Sequence, residues 1–230
     1  MDEDTGAGFV TPQQRREFIR THTKLLKVPH APEISLFVAD DSTALWQKTE
    51  DELGEIGLPP PFWAFAWAGG QALARFILDR PEMIVGKHVL DFASGSGLVA
   101  IAAAKSGAAN VQACDIDAFA IEAIALNAES NDVKVSATQD DLISCDAGWD
   151  VVLAGDVSYE RDMAKKVTNW LHALHLRGAK VLIGDPGRSY LARTQLTLLE
   201  EYQVPVTRDL EDMEIKKTGV WGFGIDGAIA

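Results

Sequence analysis

A chain of 230 residues, 47% hydrophobic and 24% charged, has the make-up of one large globular domain with room for a small extension. No apolar run reaches the roughly 18 residues that cross a bilayer, and a net charge of −13 argues against broad affinity for nucleic acid, which needs surplus Lys and Arg. Cys114 and Cys145 fit neither a zinc spacing nor a disulfide framework. The acidic start MDEDTGAGF lacks the features of a secretory signal or a transit peptide, so a cytoplasmic protein is expected, with no membrane partner.

Thr11 as N-cap and Pro12 as first helical residue predict a helix over 11–27, with Phe18, Ile19, Leu25 and Leu26 on its apolar face and Pro29 and Pro32 ending it. A short strand is expected over 34–41 and a polar, helical segment over 44–57. The prolines at 59–61 forbid helix and introduce an aromatic stretch, FWAFAW, followed by an amphipathic helix over 70–78. From residue 87 the pattern alternates. Strands are predicted at 87–93, 110–117, 133–141, 149–157 and 180–187. Helices are predicted at 97–107, 118–131, 160–178 and 189–202, and β-like stretches at 204–215 and 217–225. This reads as an α/β fold: a parallel sheet with helices on both faces, closed at its edge by an antiparallel hairpin that turns near Lys216 and Lys217. Residues 59–230 form the main domain, and 1–58 form an extension packed on it.

The chemistry concentrates after the first of these strands. Gly95-Ser96-Gly97-Leu98-Val99-Ala100 follows the fingerprint of a dinucleotide-binding turn between strand and helix, and Asp115 ends the next strand, eighteen residues past Gly97, where a carboxylate can grip a ribose. These features suit NAD and S-adenosylmethionine equally. Asp91 separates them: it would repel a pyrophosphate but attract an ammonium and a sulfonium, while bare backbone amides meet a carboxylate. Asp141 and Leu142 follow the third strand, where they can meet an adenine amino group and ring, or form a solvated acidic loop. Asp91, Asp115, Asp141 and Asp156 all fall at the carboxyl ends of strands, where ligands of such sheets bind. His172 and His175 read as a surface pair, and no metal is expected.

The order of these motifs resembles the seven-β-strand methyltransferases, Rossmann-like proteins with a seven-stranded, mostly parallel sheet. More narrowly, it resembles the protein-lysine group called methyltransferase family 16. Asp91 with the loop from Ala93 and Ser94 to Gly95 and Gly97, then Asp115, then Asp156-Val157-Ser158-Tyr159, stand where that group has its cofactor loop, ribose acid and D-x-x-Y motif. The stretches FWAFAWAGGQALARF and IGDPGR are similar to the electron transfer flavoprotein β-subunit lysine methyltransferases and their bacterial relatives. The resemblance implies S-adenosylmethionine as cofactor, lined by Trp67 and bordered by Gly155. It also implies a protein substrate bearing a lysine; a monomer is expected, although composition leaves the oligomeric state open. Asp156 and Tyr159 would be catalytic. The family's usual first glycine is Ala93 here, which is tolerable if that residue keeps a negative φ.

Methyl transfer from a sulfonium requires alignment and a neutral amine. Apolar walls from Trp63, Phe65 and Trp67 would lower a lysine's pKa, and Asp156 would hold the incoming ammonium or relay its proton. Trp63, Asp185 and Arg188 are the candidate substrate contacts, although Asp185-Pro186-Gly187-Arg188 equally reads as a plain tight turn. A small-molecule, nicotinamide-type N-methyltransferase, a non-catalytic binding module and an NAD-dependent oxidoreductase stand as alternatives.

Overall fold

The computed structural model describes residues 11–39, 60–206 and 214–224; the helix expected over 44–57 lies outside them. Helix α1 (Pro12–His22) starts as expected, with Thr11 and Gln14 exchanging side-chain and backbone hydrogen bonds in a capping box. It is shorter than expected. The Thr23 hydroxyl donates to Ile19 O at 2.5 Å, and its backbone turns extended at φ −132°. Strand β1 (Lys24–Val28) then pairs antiparallel with β2 (Ala31–Val38). Leu25 and Leu26 therefore sit on a strand and are exposed, instead of extending the helix face.

The main sheet has seven strands: β3 (His88–Phe92), β4 (Asn110–Cys114), β5 (Ser136–Thr138), β6 (Val151–Gly155), β7 (Lys180–Asp185), β8 (Leu196–Pro205) and β9 (Ile215–Phe223). Their order is β5-β4-β3-β6-β7-β9-β8, parallel except for β9, which runs antiparallel to β7 and β8. The helices are α2 (Ala68–Asp79), α3 (Leu98–Lys105), α4 (Ala118–Ser130) and α5 (Arg161–Arg177). Strand side chains alternate between two cores. Val89, Val151, Leu153 and Leu182 join Leu73, Phe76, Ile101 and Ile124 from α2, α3 and α4. Leu90, Phe92, Val152 and Ile183 join Val167, Trp170 and Leu171 of α5. Helices thus cover both faces of a Rossmann-like sheet.

The helix expected over 189–202 is absent: its residues 196–202 belong to strand β8, which runs on to Pro205. Their Leu- and Glu-rich composition favours a helix only weakly, and a long ladder to β9, with a bulge between Leu198 and Glu200, overrides it. Lys216 and Lys217 consequently lie inside β9 and not at the hairpin turn. The chain winds outward from β3 through β4 to β5, and in the other direction from β6 through β7. The carboxyl ends of β3 and β6 therefore flank the switch point at which such sheets take ligands.

Candidate active site

The turn after β3 is built on positive φ angles: Ala93 at 53°, Gly95 at 54° and Gly97 at 83°. Gly97 lets the turn press onto α4, since a Cβ there would lie 3.3 Å from Ile124 Cα. Asn127 Nδ2 donates to Ser96 O at 2.8 Å and secures the turn from α4. Ala93 does not keep the negative φ that its methyl group prefers, so the alanine in place of glycine costs about 1–2 kcal/mol of strain.

Asp91 lies beneath this turn and is buried. Its Oδ2 accepts from Ser94 Oγ at 2.5 Å and from Ala100 N at 2.9 Å, tying the turn to the start of α3. Burial pushes the carboxyl up to about 7. Through Oδ2, Asp91 thus clamps the turn from beneath. Asp115, at the end of β4, is half-exposed. Its Oδ2 accepts from Gly95 N at 2.8 Å and its Oδ1 from Asp117 N at 3.0 Å, leaving further lone pairs on both oxygens. Burial raises its pKa. The Asp91, Asp115 and Asp141 carboxylates converge on this strand end: after burial, all three help push the Cys114 thiol up to about 12. Asp141 itself is exposed and turns back on Ile143 N at 3.0 Å, while Leu142 packs partly into the α5-side core.

The second half of the site lies at the ends of β6 and β7. Asp156, at φ 57°, has a side chain only 11% exposed. Its Oδ2 accepts from Gly70 N at 2.9 Å, at the start of α2, and its Oδ1 accepts from Arg188 Nη2 at 3.0 Å. Burial pushes its carboxyl up to about 6 despite Arg188. The approach of α2 depends on glycines. A Cβ on Gly69 would lie 2.2 Å from Gly184 O, and one on Gly155 would lie 3.1 Å from Gly70 Cα. Gly155 therefore serves this contact between α2 and β6.

Aromatic residues roof the site. A Cβ on Gly95 would lie only 3.9 Å from Phe62 O and Trp63 Cα, so the 3-10 turn Phe62–Ala64 passes directly over the glycine turn. Trp67 donates to Phe62 O at 2.9 Å and stands edge-on to Phe62 and Phe65. Arg188 lies 5.8 Å from the Trp67 ring centre. Tyr159 is 50% exposed, with its ring 5.7 Å from that of Phe62, and its phenol is raised by burial and then by Asp115 and Glu160.

Two expected substrate contacts are corrected. Trp63 is 3% exposed and stacks on Phe119 in a cluster with Ile19, so it anchors the roof and offers no surface to a substrate. Asp185 is fully buried, and its Oδ1 accepts from Gly187 N and Arg188 N, both at 2.7 Å; it builds the turn that carries Arg188. A cleft of about 260 Å³, lined by Tyr159, Pro186, Gly187, Arg188, Ser189 and Lys216, opens beside them.

Three further features belong to the site. Ile116 is 74% exposed directly after Asp115, an apolar face suited to an aromatic base. Its only signal in the sequence is an isoleucine between two aspartates at a strand end. Asn127 is a lone amide on the buried side of an alanine-rich helix. Gly184-Asp185 repeats the Gly155-Asp156 pair on the adjacent strand, which marks where α2 approaches.

The chain matches the family model described as ribosomal protein L11 methyltransferase over residues 73–158. It is 38% identical over 215 residues to the electron transfer flavoprotein beta subunit lysine methyltransferase of Xenopus laevis, covering 90% of this chain and 86% of that one. The protein of the same name from Homo sapiens is 34% identical over 226 residues, covering 95% and 85%. Among solved structures, magnesium protoporphyrin IX methyltransferase from Synechocystis PCC 6803, with bound SAH, shares the fold at 12% identity. Its TM-score is 0.52, with 80% of this chain and 100% of that one covered.

Proposed function

The chain belongs to the electron transfer flavoprotein β-subunit lysine methyltransferase family, and on that premise we propose that it transfers a methyl group from S-adenosylmethionine to a lysine of an electron transfer flavoprotein β-subunit. The observation that carries this reading beyond similarity is one juxtaposition: the Gly95–Gly97 turn with Asp115 on one side of the switch point, and on the other the buried Asp156, whose partner Arg188 lies over Trp67 and lines a cleft with Tyr159.

The residues fit the cofactor. Asp115 keeps lone pairs on both oxygens for ribose hydroxyls, Ile116 and Leu142 offer apolar faces for adenine, and Asp141 can accept from its amino group. The turn carries no side chain at Gly95 or Gly97, so a methionine carboxylate can come close to it there. When bound, S-adenosylmethionine supplies an electrophilic methyl group on a sulfonium. The rest of the work falls to this chain. A lysine of ordinary pKa near 10.4 arrives as an ammonium, and neutralising it at pH 7 costs about 4–5 kcal/mol. Asp156, ionised above about pH 6, seats that ammonium and takes up the proton it must lose before the amine can attack. The rings of Phe62, Trp67 and Tyr159 exclude water and attract the cation by about 0.5–2 kcal/mol.

The proposal extends to the setting: a monomer acting in a bacterial cytoplasm, without nucleic acid or membrane as partner. A net charge of −13 supports the absence of a nucleic-acid partner, and an exposed free thiol at Cys145 suits a reducing compartment. Calorimetric titration tests the cofactor half. S-adenosylmethionine is expected to bind and NAD is not, and Asp115→Asn is expected to weaken binding about tenfold or more. Binding of NAD in preference, or equal binding by Asp115→Asn, would overturn the reading.

A further inference from the structure

Two buried carboxylates and one guanidinium meet at the ends of β6 and β7. Asp185 is fully buried and Asp156 nearly so, while the Arg188 side chain is 22% exposed. Asp156 faces the Gly70 amide from α2 and the Asp185 and Arg188 charges from β7 and the turn that follows it. Arg188 in turn faces Tyr159. Arg188 is held on three sides: Asp185 Oδ1 accepts its amide, Asp156 Oδ1 accepts its Nη2, and its guanidinium lies over Trp67.

Resting on the lysine-methyltransferase reading, we propose that Arg188 is a positioning residue for the transfer. Its guanidinium, bonded to Asp156 beside the buried Asp185, keeps Asp156 an oriented anion for an incoming lysine ammonium. Two like charges packed together in a dry site do not both stay ionised without a counter-charge; one takes up a proton. Asp156 would then meet an incoming ammonium as a neutral acid, without the attraction that seats it. The turn explains why Arg serves here and not a free-swinging Lys. The buried Asp185 fixes the backbone from which the side chain projects, and the planar guanidinium lies over Trp67 while donating to Asp156.

The test compares wild type, Arg188→Gln and Arg188→Lys by two readouts. The first is the pH dependence of kcat/KM for the β-subunit. The second is a carbon NMR titration of the aspartate carboxyls in the free enzyme, with Asp156 assigned by the Asp156→Asn variant. In Arg188→Gln the acid limb and the Asp156 midpoint are both expected to rise by about one pH unit or more, with activity lost chiefly on the acid side. Arg188→Lys is expected to restore part of the shift. Equal loss of activity at every pH, with the Asp156 midpoint unmoved, would reduce Arg188 to a structural residue and overturn the proposal. Absence of any methyl transfer by wild type would overturn the functional reading instead, while the NMR titration would still decide the Asp156–Arg188 coupling.

Discussion

Ala93 stands at φ 53°, at the position where the family resemblance implies a glycine. Replacing it with glycine removes about 1–2 kcal/mol of left-handed strain against an entropic cost of about 0.5–1 kcal/mol. Ala93→Gly is therefore expected to gain about 0.5 kcal/mol in a urea unfolding curve, and a loss of stability would contradict the observed backbone. Asp91 gives a pH signature. Its folded value, about 7, lies above the ordinary carboxyl value, so the folded state prefers it protonated. The stabilisation this gives is complete below about pH 4 and is lost as pH rises through about 7. Asp91→Asn keeps an oxygen for the Ala100 amide but does not titrate, so its stability relative to wild type is expected to rise between about pH 5 and pH 8. A flat difference would contradict the burial. The carboxylates of the site were legible because each ends a strand. The roles of Asp91 and Asp185 were not, because spacing places a carboxylate at a turn without saying whether it points out of the turn or under it.

At the scale of elements, the site depends on α2 reaching the ends of β6 and β7 through glycines. Gly69→Ala would drive a methyl group to 2.2 Å from Gly184 O and 2.6 Å from Asp156 Oδ2, so something must shift. A loss of about 2–4 kcal/mol and a displaced Asp156 are expected. Gly70→Ala meets nothing nearer than Leu98 Cδ2 at 3.8 Å and is expected to be neutral or to gain up to about 1 kcal/mol from helix propensity. Thermal melts of the two variants check the contrast, and equal effects would contradict the contact. The βα alternation from residue 87 was legible because parallel strands and their helices carry different periods. Lys24–Val28 and Leu196–Pro205 were not. Both hold leucines and long polar side chains that suit a helix locally, and pairing with the next strand in sequence, which local periodicity does not record, selects the extended form.

At the scale of the whole molecule, a net charge of −13 repels itself, and several buried carboxyls ionise only at a cost. Asp91 is pushed to about 7, and Asp117 and Asp156 to about 6, each chiefly by burial. All three raised values favour the folded state at lower pH, and self-repulsion acts in the same direction. The melting temperature is therefore expected to fall from pH 5 to pH 8, and added salt is expected to recover part of the loss at pH 8. A melting temperature that rises over this range would contradict the burial of these groups. The charge does not hinder the proposed transfer, because the substrate group arrives as a cation at a strand edge that carries spare negative charge. The most direct measurement is tandem mass spectrometry of an electron transfer flavoprotein β-subunit incubated with S-adenosylmethionine and either wild type or Asp156→Asn. The account predicts methyl groups on lysine with wild type, and at least a hundredfold less with Asp156→Asn, about the share of a group that seats and orients the amine. An unmodified β-subunit, methyl groups on another residue type, or full activity without the Asp156 carboxylate would contradict it.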